Sequence, residues 1–216
     1  MFDNYIQSAC MQARRSNSER SDTTRAALIT AARELFVAQG YADTSTPAVC
    51  AAAGMTRGAL YHHFADKRDL FHAVLAAEAA AVAADIEAAS SDHGNDPQRA
   101  LLAGGDAYLD AMAVPGRTRL LLIEGPAVLG REALQALDAA HAEASLRAGL
   151  EEAGVTGVDL DALTACVSAA FDRAALDLQD GKAPATVRAT LRWLLGRIAD
   201  APGGRVASAA KPRKRS

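Results

Sequence analysis

The fold of this chain is decided by residues 40–67, GYADTSTPAVCAAAGMTRGALYHHFADK. Ser45 or Thr46 can cap the start of a short helix, because a hydroxyl oxygen accepts a hydrogen bond from a free N–H of the first turn. Pro47 fits that first turn, where its missing N–H would have had no partner within the helix. The helix is expected to stop at Gly54, which begins a tight turn.

A second short helix follows the glycine turn. It is predicted to begin near Thr56 and to end around residues 63–64, after which Asp66 caps a long helix. Asp69 stands at the third position of that helix, where a carboxylate complements the helix dipole. Two short helices joined by a tight glycine turn are the sequence form of a helix-turn-helix.

One amphipathic helix is predicted before this stretch, since its apolar residues recur at i, i+3, i+4, i+7 and i+8. These residues are Leu28, Ala31, Ala32, Leu35 and Phe36. Asp22 is the expected N-cap of the helix, and Gly40 is its expected left-handed C-cap.

The remainder of the chain also has helical periodicity. Further helices are predicted at roughly 67–89, 97–113, 117–124, 127–153, 159–179 and 184–199. No segment of useful length has the period of a β-strand, so the fold class is all-α. The two ends, 1–20 and 201–216, lack sustained periodicity and are predicted to be flexible.

The composition agrees with a helical protein, since alanine supplies 52 of 216 residues while glycine (16) and proline (7) are sparse. No uncharged apolar run approaches the ~20 residues that a transmembrane helix needs. The first twenty residues lack the apolar core of a secretory signal. Three widely separated cysteines form no CxxC pair and no even disulfide framework. These features predict a cytoplasmic protein without a membrane partner.

The net charge of −3 is distributed unevenly along the chain. Residues 1–75 carry a balance of +1, residues 76–200 a balance of −9 and residues 201–216 a balance of +5. A polyanionic partner is therefore expected to avoid the acidic middle segment.

The 40–67 stretch resembles the DNA-binding region of TetR-type transcriptional regulators. The resemblance rests on the order G-Y, T-S, A-G, a hydroxyl residue, x-G-x-L-Y-x-H-F and then K, and it covers about 45 residues with the preceding helix. Val49-Cys50 stand where the family usually has Ile-Ala, and Met55 where it usually has Val. These are volume-tolerant substitutions.

The resemblance implies an N-terminal three-helix helix-turn-helix domain over residues 21–68 and a helical ligand-binding and dimerisation domain over residues 69–200. A flexible extension (1–20) precedes them and a basic tail (201–216) follows. It also implies a homodimeric regulator, more often a repressor, that binds a palindromic operator in double-stranded DNA and responds to a small-molecule effector. No cofactor is expected.

The residues of the second short helix suit DNA contact on physical grounds. Gly58 lacks a Cβ, so the helix can approach a phosphate strand closely, although a mid-helix glycine costs up to ~1 kcal/mol relative to alanine. Arg57 offers a five-donor fork that pairs best with guanine in the major groove, beside the hydroxyl of Thr56. Tyr61 and His62 can reach phosphate, sugar or a thymine methyl.

Lys67 is expected to contact a phosphate from the first turn of the next helix. Leu60 and Phe64 are expected to face the core, and the basic residues 211–215 are read as a solubilising end, with a nonspecific grip on DNA as the alternative. The predicted DNA contacts are Ser45, Thr46, Thr56, Arg57, Gly58, Ala59, Tyr61, His62, His63 and Lys67.

Two further sets of residues follow from the implied ligand-binding domain. Candidates for the ligand pocket are Tyr108, Met112, Leu121, Glu124 and Phe171. Candidates for the dimer interface, on the apolar faces of the last two helices, are Leu163, Val167, Phe171, Ala174, Leu191, Leu194 and Ile198. For both sets the alternative is packing inside one subunit.

Catalytic and metal sites have little support. His62 and His63 are adjacent, whereas two ligands on one helix face need i, i+4 spacing. Residues 92–96 lack the 12-residue calcium-loop pattern, and no nucleophile stands in a visible pair with a base. An enzyme is therefore not predicted. A small-molecule carrier on the same helical body and a nonspecific DNA-packaging protein are the alternatives to a regulator.

Overall fold

A computed structural model describes residues 2–93 and 96–200, with side chains described from residue 19 onward. Every regular element in these ranges is helical, which confirms the all-α fold class. The elements are α1 (Phe2–Asp43), α2 (Thr46–Ala53), α3 (Arg57–His63), α4 (Lys67–Ser91), α5 (Pro97–Met112), a π-helix named π1 (Arg119–Glu124), α6 (Gly125–Leu129), α7 (Arg131–Ala139), α8 (Ala142–Glu152), α9 (Leu160–Gln179) and α10 (Pro184–Ala199).

Helix α1 is longer than the sequence pattern predicts. It begins at Phe2, so Asp22 lies inside the helix, and the prediction that Asp22 caps it is wrong. No glycine or proline interrupts residues 1–20. Gly40 breaks the helical course with a positive φ (82°), as predicted, but its ψ of 166° lies outside the left-handed helical region, so the predicted left-handed cap is wrong.

The predicted helix-turn-helix is confirmed by α2 and α3. The Ser45 side chain caps α2 by accepting a hydrogen bond from the N–H of Ala48 (3.3 Å). Gly54 ends that helix in the left-handed conformation (φ 66°, ψ 28°). The Thr56 side chain then caps α3 by accepting from the N–H of Ala59 (3.2 Å).

A reciprocal pair of caps fixes the start of α4 directly after α3. The Asp66 carboxylate accepts a hydrogen bond from the N–H of Asp69 (2.8 Å), and the Asp69 carboxylate accepts from the N–H of Ala65 (2.9 Å). It resembles a capping box, but aspartate replaces glutamate and binds the N–H of Ala65, one residue before the N-cap, instead of the N–H of Asp66. The sequence predicted the first of these bonds, and it assigned Asp69 only to the helix dipole.

The three N-terminal helices and the first turns of α4, called the head, enclose one hydrophobic core. Phe36, Phe71 and Leu60 are fully buried, and Phe64 is 2% exposed, as predicted for Leu60 and Phe64. The rings of Phe36 and Phe71 meet edge to face at 5.0 Å. Each such side chain contributes roughly 1.5–3 kcal/mol by leaving water, so the head is held by packing around α3.

The rest of α4 and all later elements form the body, whose core joins α5, α8, α9 and α10. Gly105 lets α5 approach its neighbours closely, because a Cβ there would lie 2.9 Å from Leu195 Cδ1 and 3.0 Å from Phe171 Cζ. Helix α4 is continuous across residues 68 and 69. The predicted boundary between the two domains therefore falls within a helix that both share.

The long helix predicted over 127–153 is wrong. The structure has three shorter helices there, α6, α7 and α8. Gly130, with a φ of 88°, separates the first two, and His141 at φ −133°, ψ −103° separates the next two. The apolar periodicity continued through both breaks, so the pattern alone did not reveal them.

Helix π1 ties the body to the end of α1. The Arg119 guanidinium donates to the carbonyls of Phe36 and Val37, both at 2.7 Å, and forms an ion pair with Glu124 (3.2 Å). The Glu124 carboxylate accepts in turn from the N–H of Tyr41 (3.0 Å). Irregular π segments occur often at functional sites, and this one holds the last turn of α1 in place.

A buried carboxylate forms a second link between head and body. Glu78 of α4 binds the Nε of Arg33 in α1 (2.7 Å) and the Nε of Arg117, which precedes π1 (2.9 Å). Arg117 also donates to the carbonyl of Ala111 (2.8 Å). Burial opposes ionisation of Glu78, but the hydrogen bonds from the two arginines outweigh it and hold the pKa below its ordinary value.

Candidate functional site

The hydroxyl groups that cap α2 and α3 are exposed and keep their own O–H groups free to donate. Ser45 and Thr56 are exposed, and each accepts a backbone N–H as a helix cap. A hydroxyl that accepts one hydrogen bond still has its own O–H to donate. Both predicted contacts can therefore cap their helices and bind a phosphate oxygen at the same time.

Three predicted contacts form one polar patch across the two helices. The hydroxyls of Thr46 and Tyr61 lie 3.3 Å apart, and Tyr61 is 47% exposed. Hydrogen bonding by Thr46, and then by Arg57, lowers the pKa of the Tyr61 phenol. Arg57 is exposed at the first position of α3, so its guanidinium is presented to solvent beside the phenol.

Gly58 is exposed in the first turn of α3, with no positive φ that would require glycine. A Cβ built there would meet only Thr56 Oγ1, at an ordinary 3.8 Å. Packing among the described residues therefore gives no reason for glycine at this position. This supports the prediction that another molecule approaches the helix here.

The remaining predicted contacts on α3 differ in exposure. His62 is exposed, whereas Ala59 and His63 are half-buried. The His63 ring packs 5.2 Å from that of His62 and 6.3 Å from that of Phe64. His62 is therefore the histidine that a partner molecule can reach, and His63 links the exposed face of α3 to the head core.

The structure gives Lys67 a different role from the predicted phosphate contact. Its ammonium donates to the carbonyls of Tyr41 (2.8 Å), Ala42 (3.3 Å) and Thr44 (2.9 Å) and lies 4.3 Å from the Tyr41 ring centroid. An ammonium has three N–H donors, and all three are used within the protein. Lys67 satisfies carbonyls at the end of α1 and positions α4 against it.

Arg25 is a cation near the end of α3, and the sequence analysis did not identify it. It is exposed on α1, and its guanidinium lies 5.3 Å from the ring centroid of Phe64. The motif gave no signal for it, because its proximity to the end of α3 depends on how α1 crosses the head.

A cavity of about 650 Å³ lies in the body between α4, α5, α8 and α9. Tyr108 and Phe171, two of the five predicted pocket residues, line it. Met112 lines a separate cavity of about 290 Å³, and Leu121 packs against the hydrophobic cores. Glu124 binds the end of α1 instead of a pocket. The volume of the larger cavity lies in the range of small-molecule sites.

Half-buried acids lie behind one wall of this cavity. The Tyr108 hydroxyl donates to Asp172 (2.6 Å), and Ser168 donates to Asp138 (3.2 Å). Burial raises the pKa of Asp172 to about 6, and nearby Asp138 and Glu143 reinforce that rise although the Tyr108 hydrogen bond opposes it. Burial likewise raises the pKa of Asp138 and of Glu143.

The predicted dimer-interface residues lie largely inside the subunit. Val167, Phe171, Ala174 and Leu191 are at most 6% exposed and belong to the body core. Leu163, Leu194 and Ile198 are half-buried against the same core. The apolar stripes of α9 and α10 therefore pack against their own subunit, which was the alternative interpretation.

The opposite faces of α9 and α10 are exposed and consist of small residues, arginines and one large aromatic side chain. On α9 the exposed residues include Ala162, Cys166, Ala169 and Arg173. On α10 they include Ala189, Trp193 and Arg197, and Trp193 is 62% exposed. The sequence pattern did not single out this surface, because alanine contributes little to an apolar stripe.

The described residues contain no group of three or more His, Cys, Asp or Glu side chains placed to hold a metal ion. Of their helices, none combines the length and apolar character needed to cross a bilayer. Residues 94–95 of the 92–96 segment and the basic tail lie outside the described residues.

Two family models match the chain. Residues 28–74 match the model for bacterial regulatory proteins of the tetR family, and residues 98–202 match the Tetracyclin repressor-like C-terminal domain. Together they cover α1 from Leu28, the helix-turn-helix, the start of α4 and most of the body.

Individual proteins agree with the family models. The HTH-type transcriptional regulator SrpR of Pseudomonas putida is 44% identical over 62 residues, which are 29% of each protein, so the match spans less than a third of that relative. A TetR-family transcriptional regulator from Pectobacterium atrosepticum is 31% identical, with a TM-score of 0.64, over 82% of this chain and 92% of that one. The reduced form of NemR from E. coli, at 18% identity over 81% and 96% of the two chains and a TM-score of 0.66, shares the fold.

Proposed function

Because the chain belongs to the TetR family of bacterial regulatory proteins, we propose that it is a homodimeric repressor that binds a palindromic DNA operator and releases it when a small molecule binds the body. The protein acts by binding, without catalysis, on DNA in the cytoplasm. Residues 21–68 supply the DNA contacts, and residues 69–200 supply the effector site and the dimer contacts.

The observation that carries the proposal is the surface of α3 around Gly58. The helix exposes Arg57, Gly58 and Tyr61 together, and nothing among the described residues fills the space beside the glycine. An α-helix fits the DNA major groove, where an arginine fork pairs with guanine while hydroxyls contact phosphate. Ser45 and Thr46 of the preceding helix supply such hydroxyls.

A dimer through the outer faces of α9 and α10 completes the proposal. Trp193 supplies a large amphipathic anchor, and the exposed alanines around Ala169 allow helices of two subunits to approach closely. A two-fold dimer presents two copies of α3 to successive major grooves about 34 Å apart, so the operator should be an inverted repeat.

Helix α4 provides the route from effector to DNA. It begins at Lys67, shortly after α3 ends at His63, and its later residues Ile86 and Ser90 line the body cavity. We expect an effector to bind more tightly to the conformation in which the two copies of α3 are misplaced for DNA. Its binding then shifts the population towards that conformation, by an amount set by the difference between its affinities for the two conformations.

Selection from a randomised DNA pool at ~0.15 M salt tests this proposal, since affinities for DNA have meaning only at a stated salt concentration. The wild type should recover a short inverted repeat. The variant Trp193→Glu, which places a charge on the proposed dimer surface, should sediment as a monomer and recover the repeat poorly. Retention of DNA without a shared sequence would indicate a packaging protein. A failure to retain any DNA would indicate a carrier of small molecules.

A further inference from the structure

The body cavity has an unusual polar lining, made mainly of hydroxyl groups. Its polar side chains are Ser90, Ser91, Ser145, Ser168, Tyr108, His141, Glu87 and Glu152. The described residues that line it include no lysine or arginine. Apolar residues, including Phe171 and Leu101, make up most of the remaining surface.

All five hydroxyls donate their protons to acceptors within the protein. Ser90, Ser91 and Ser145 donate to the carbonyls of Ala100 (3.3 Å), Glu87 (2.6 Å) and His141 (3.4 Å). Because each proton is directed away, the hydroxyl oxygens offer only lone pairs to the cavity.

The other two hydroxyls donate to carboxylates that lie behind the wall. Tyr108 donates to Asp172, and Ser168 donates to Asp138. Each oxygen thus backs onto an acid and faces the cavity as an acceptor. Among the lining side chains that the structure describes, the imidazole of His141 is the single potential donor.

The acids around this end of the cavity have no lysine or arginine partner among the described residues. Asp138, Glu143 and Asp172 form no ion pair with any described residue, and neither do Glu87 and Glu152 of the lining. Partly buried carboxylates without a counter-charge favour any cation that can approach them. The field in the cavity is therefore negative.

The aromatic rings of the cavity favour a flat occupant. Tyr108 and Phe171 meet edge to face with centroids 5.5 Å apart. A ring face attracts a cation, and donation of the Tyr108 proton to a carboxylate makes the phenol richer in electrons.

We propose that this cavity binds an organic cation that carries N–H donors on a flat apolar body. The N–H groups bind the oxygens of Tyr108 and Ser168, while the apolar body packs on the Tyr108 and Phe171 rings. The inference deepens the proposed function, on which its regulatory meaning rests, by stating the chemical class of the effector. Among the described lining residues, an anion finds the His141 imidazole as its single potential donor and no lysine or arginine.

The affinity for the cation should depend on pH. The groups that face Asp172 are Tyr108 of α5, Asp138 of α7 and Glu143 of α8, and His141 lies near Asp138. With a pKa of about 6, Asp172 loses its charge as the pH falls from 7.5 to 5. Binding of a cation should weaken over that interval.

Fluorescence titration with three probes of the same ring size tests the proposal. The probes are 9-aminoacridine as the cation, 9-anthracenemethanol as the neutral compound and anthracene-9-carboxylate as the anion. The wild type at pH 7.5 should bind the cation at least ~10-fold more tightly than the anion, because opposite charges attract across a medium of low dielectric. Affinity for the cation should fall ~3-fold or more at pH 5.

The variant Asp172→Asn keeps an acceptor for the Tyr108 hydroxyl and removes the charge. It should lose most of the preference for the cation, whereas Asp180→Asn, the same change at the exposed end of α9, should keep it. Equal or tighter binding of the anion, unchanged preference in Asp172→Asn, or no binding of the cation would each overturn the proposal. Binding of DNA by both unliganded variants is measured in parallel, so failure of the cation site is distinguished from failure of the repressor.

Discussion

Replacing Glu78 with alanine should lower the free energy of unfolding by about 3–5 kcal/mol, the range measured when one partner of a buried ion pair is removed. Glu78 is 6% exposed and serves both Arg33 and Arg117. Its removal leaves Arg33 without its carboxylate, and it leaves Arg117, itself only 7% exposed, with only a longer contact to the exposed Asp85 (3.8 Å). Urea denaturation at pH 7.5 measures the loss.

Glu151→Ala is the control for this change. Glu151 also pairs with an arginine, Arg147 (3.1 Å), but both side chains are exposed, and such pairs contribute up to about 1 kcal/mol. The pKa of Glu78 is lowered in the folded state, so its contribution is present above the ordinary value of 4.5 and is lost as the pH falls through the folded pKa. A loss below about 1 kcal/mol in Glu78→Ala would contradict the structural role assigned to the network.

The second large effect is expected on DNA. Arg57→Ala should weaken binding to the operator recovered by selection by ~1–3 kcal/mol, or roughly 5- to 150-fold, and should relax the preference at one base position in each half-site. The side chain is exposed, beside the exposed Tyr61, so the free energy of unfolding should change by no more than about 0.5 kcal/mol. Fluorescence anisotropy on the operator and on its single-base variants, at a fixed salt concentration, measures both affinity and preference.

Arg131→Ala removes the same charge from an exposed position on α7 and serves as the control. It should leave base preference unchanged. If Arg57→Ala discriminates among the single-base variants as well as the wild type does, Arg57 is not a base reader.

The local rules of helix capping explain why the helix-turn-helix was predictable. Ser45, Gly54, Thr56 and Asp66 each act on a backbone group within a few residues, so sequence and geometry are directly connected. The same rules gave a wrong helix start at Asp22, because this favourable capping residue lies inside a longer helix.

Contacts across long sequence separations explain the errors. Lys67 was expected to face DNA, but its donors reach carbonyls more than twenty residues earlier, at the end of α1. Glu124 was expected in a pocket, and it binds Tyr41 from 83 residues away. Neither placement follows from residue type or periodicity.

The four dimer candidates that the subunit itself buries were misassigned for a related reason. Val167 and Leu191 belong to the apolar stripes of their helices. An apolar stripe indicates that these residues are buried, but it does not indicate whether the same subunit or a partner covers them. In the structure their own subunit buries them, and the exposed face carries alanines and Trp193. The cavity could not be found from sequence either, because its lining comes from four helices whose relative placement sets the space.

The most direct test of the central claim, that α3 meets DNA closely at Gly58, is the paired measurement of stability and operator affinity in Gly58→Ala. Alanine favours a helix over glycine by up to ~1 kcal/mol, and the space inside the protein accepts a Cβ. The variant should therefore unfold at the same or a higher urea concentration while binding the operator at least ~10-fold more weakly, because a Cβ occupies the space that the phosphate strand needs. A variant that is as stable as the wild type and binds the operator equally well would contradict the account.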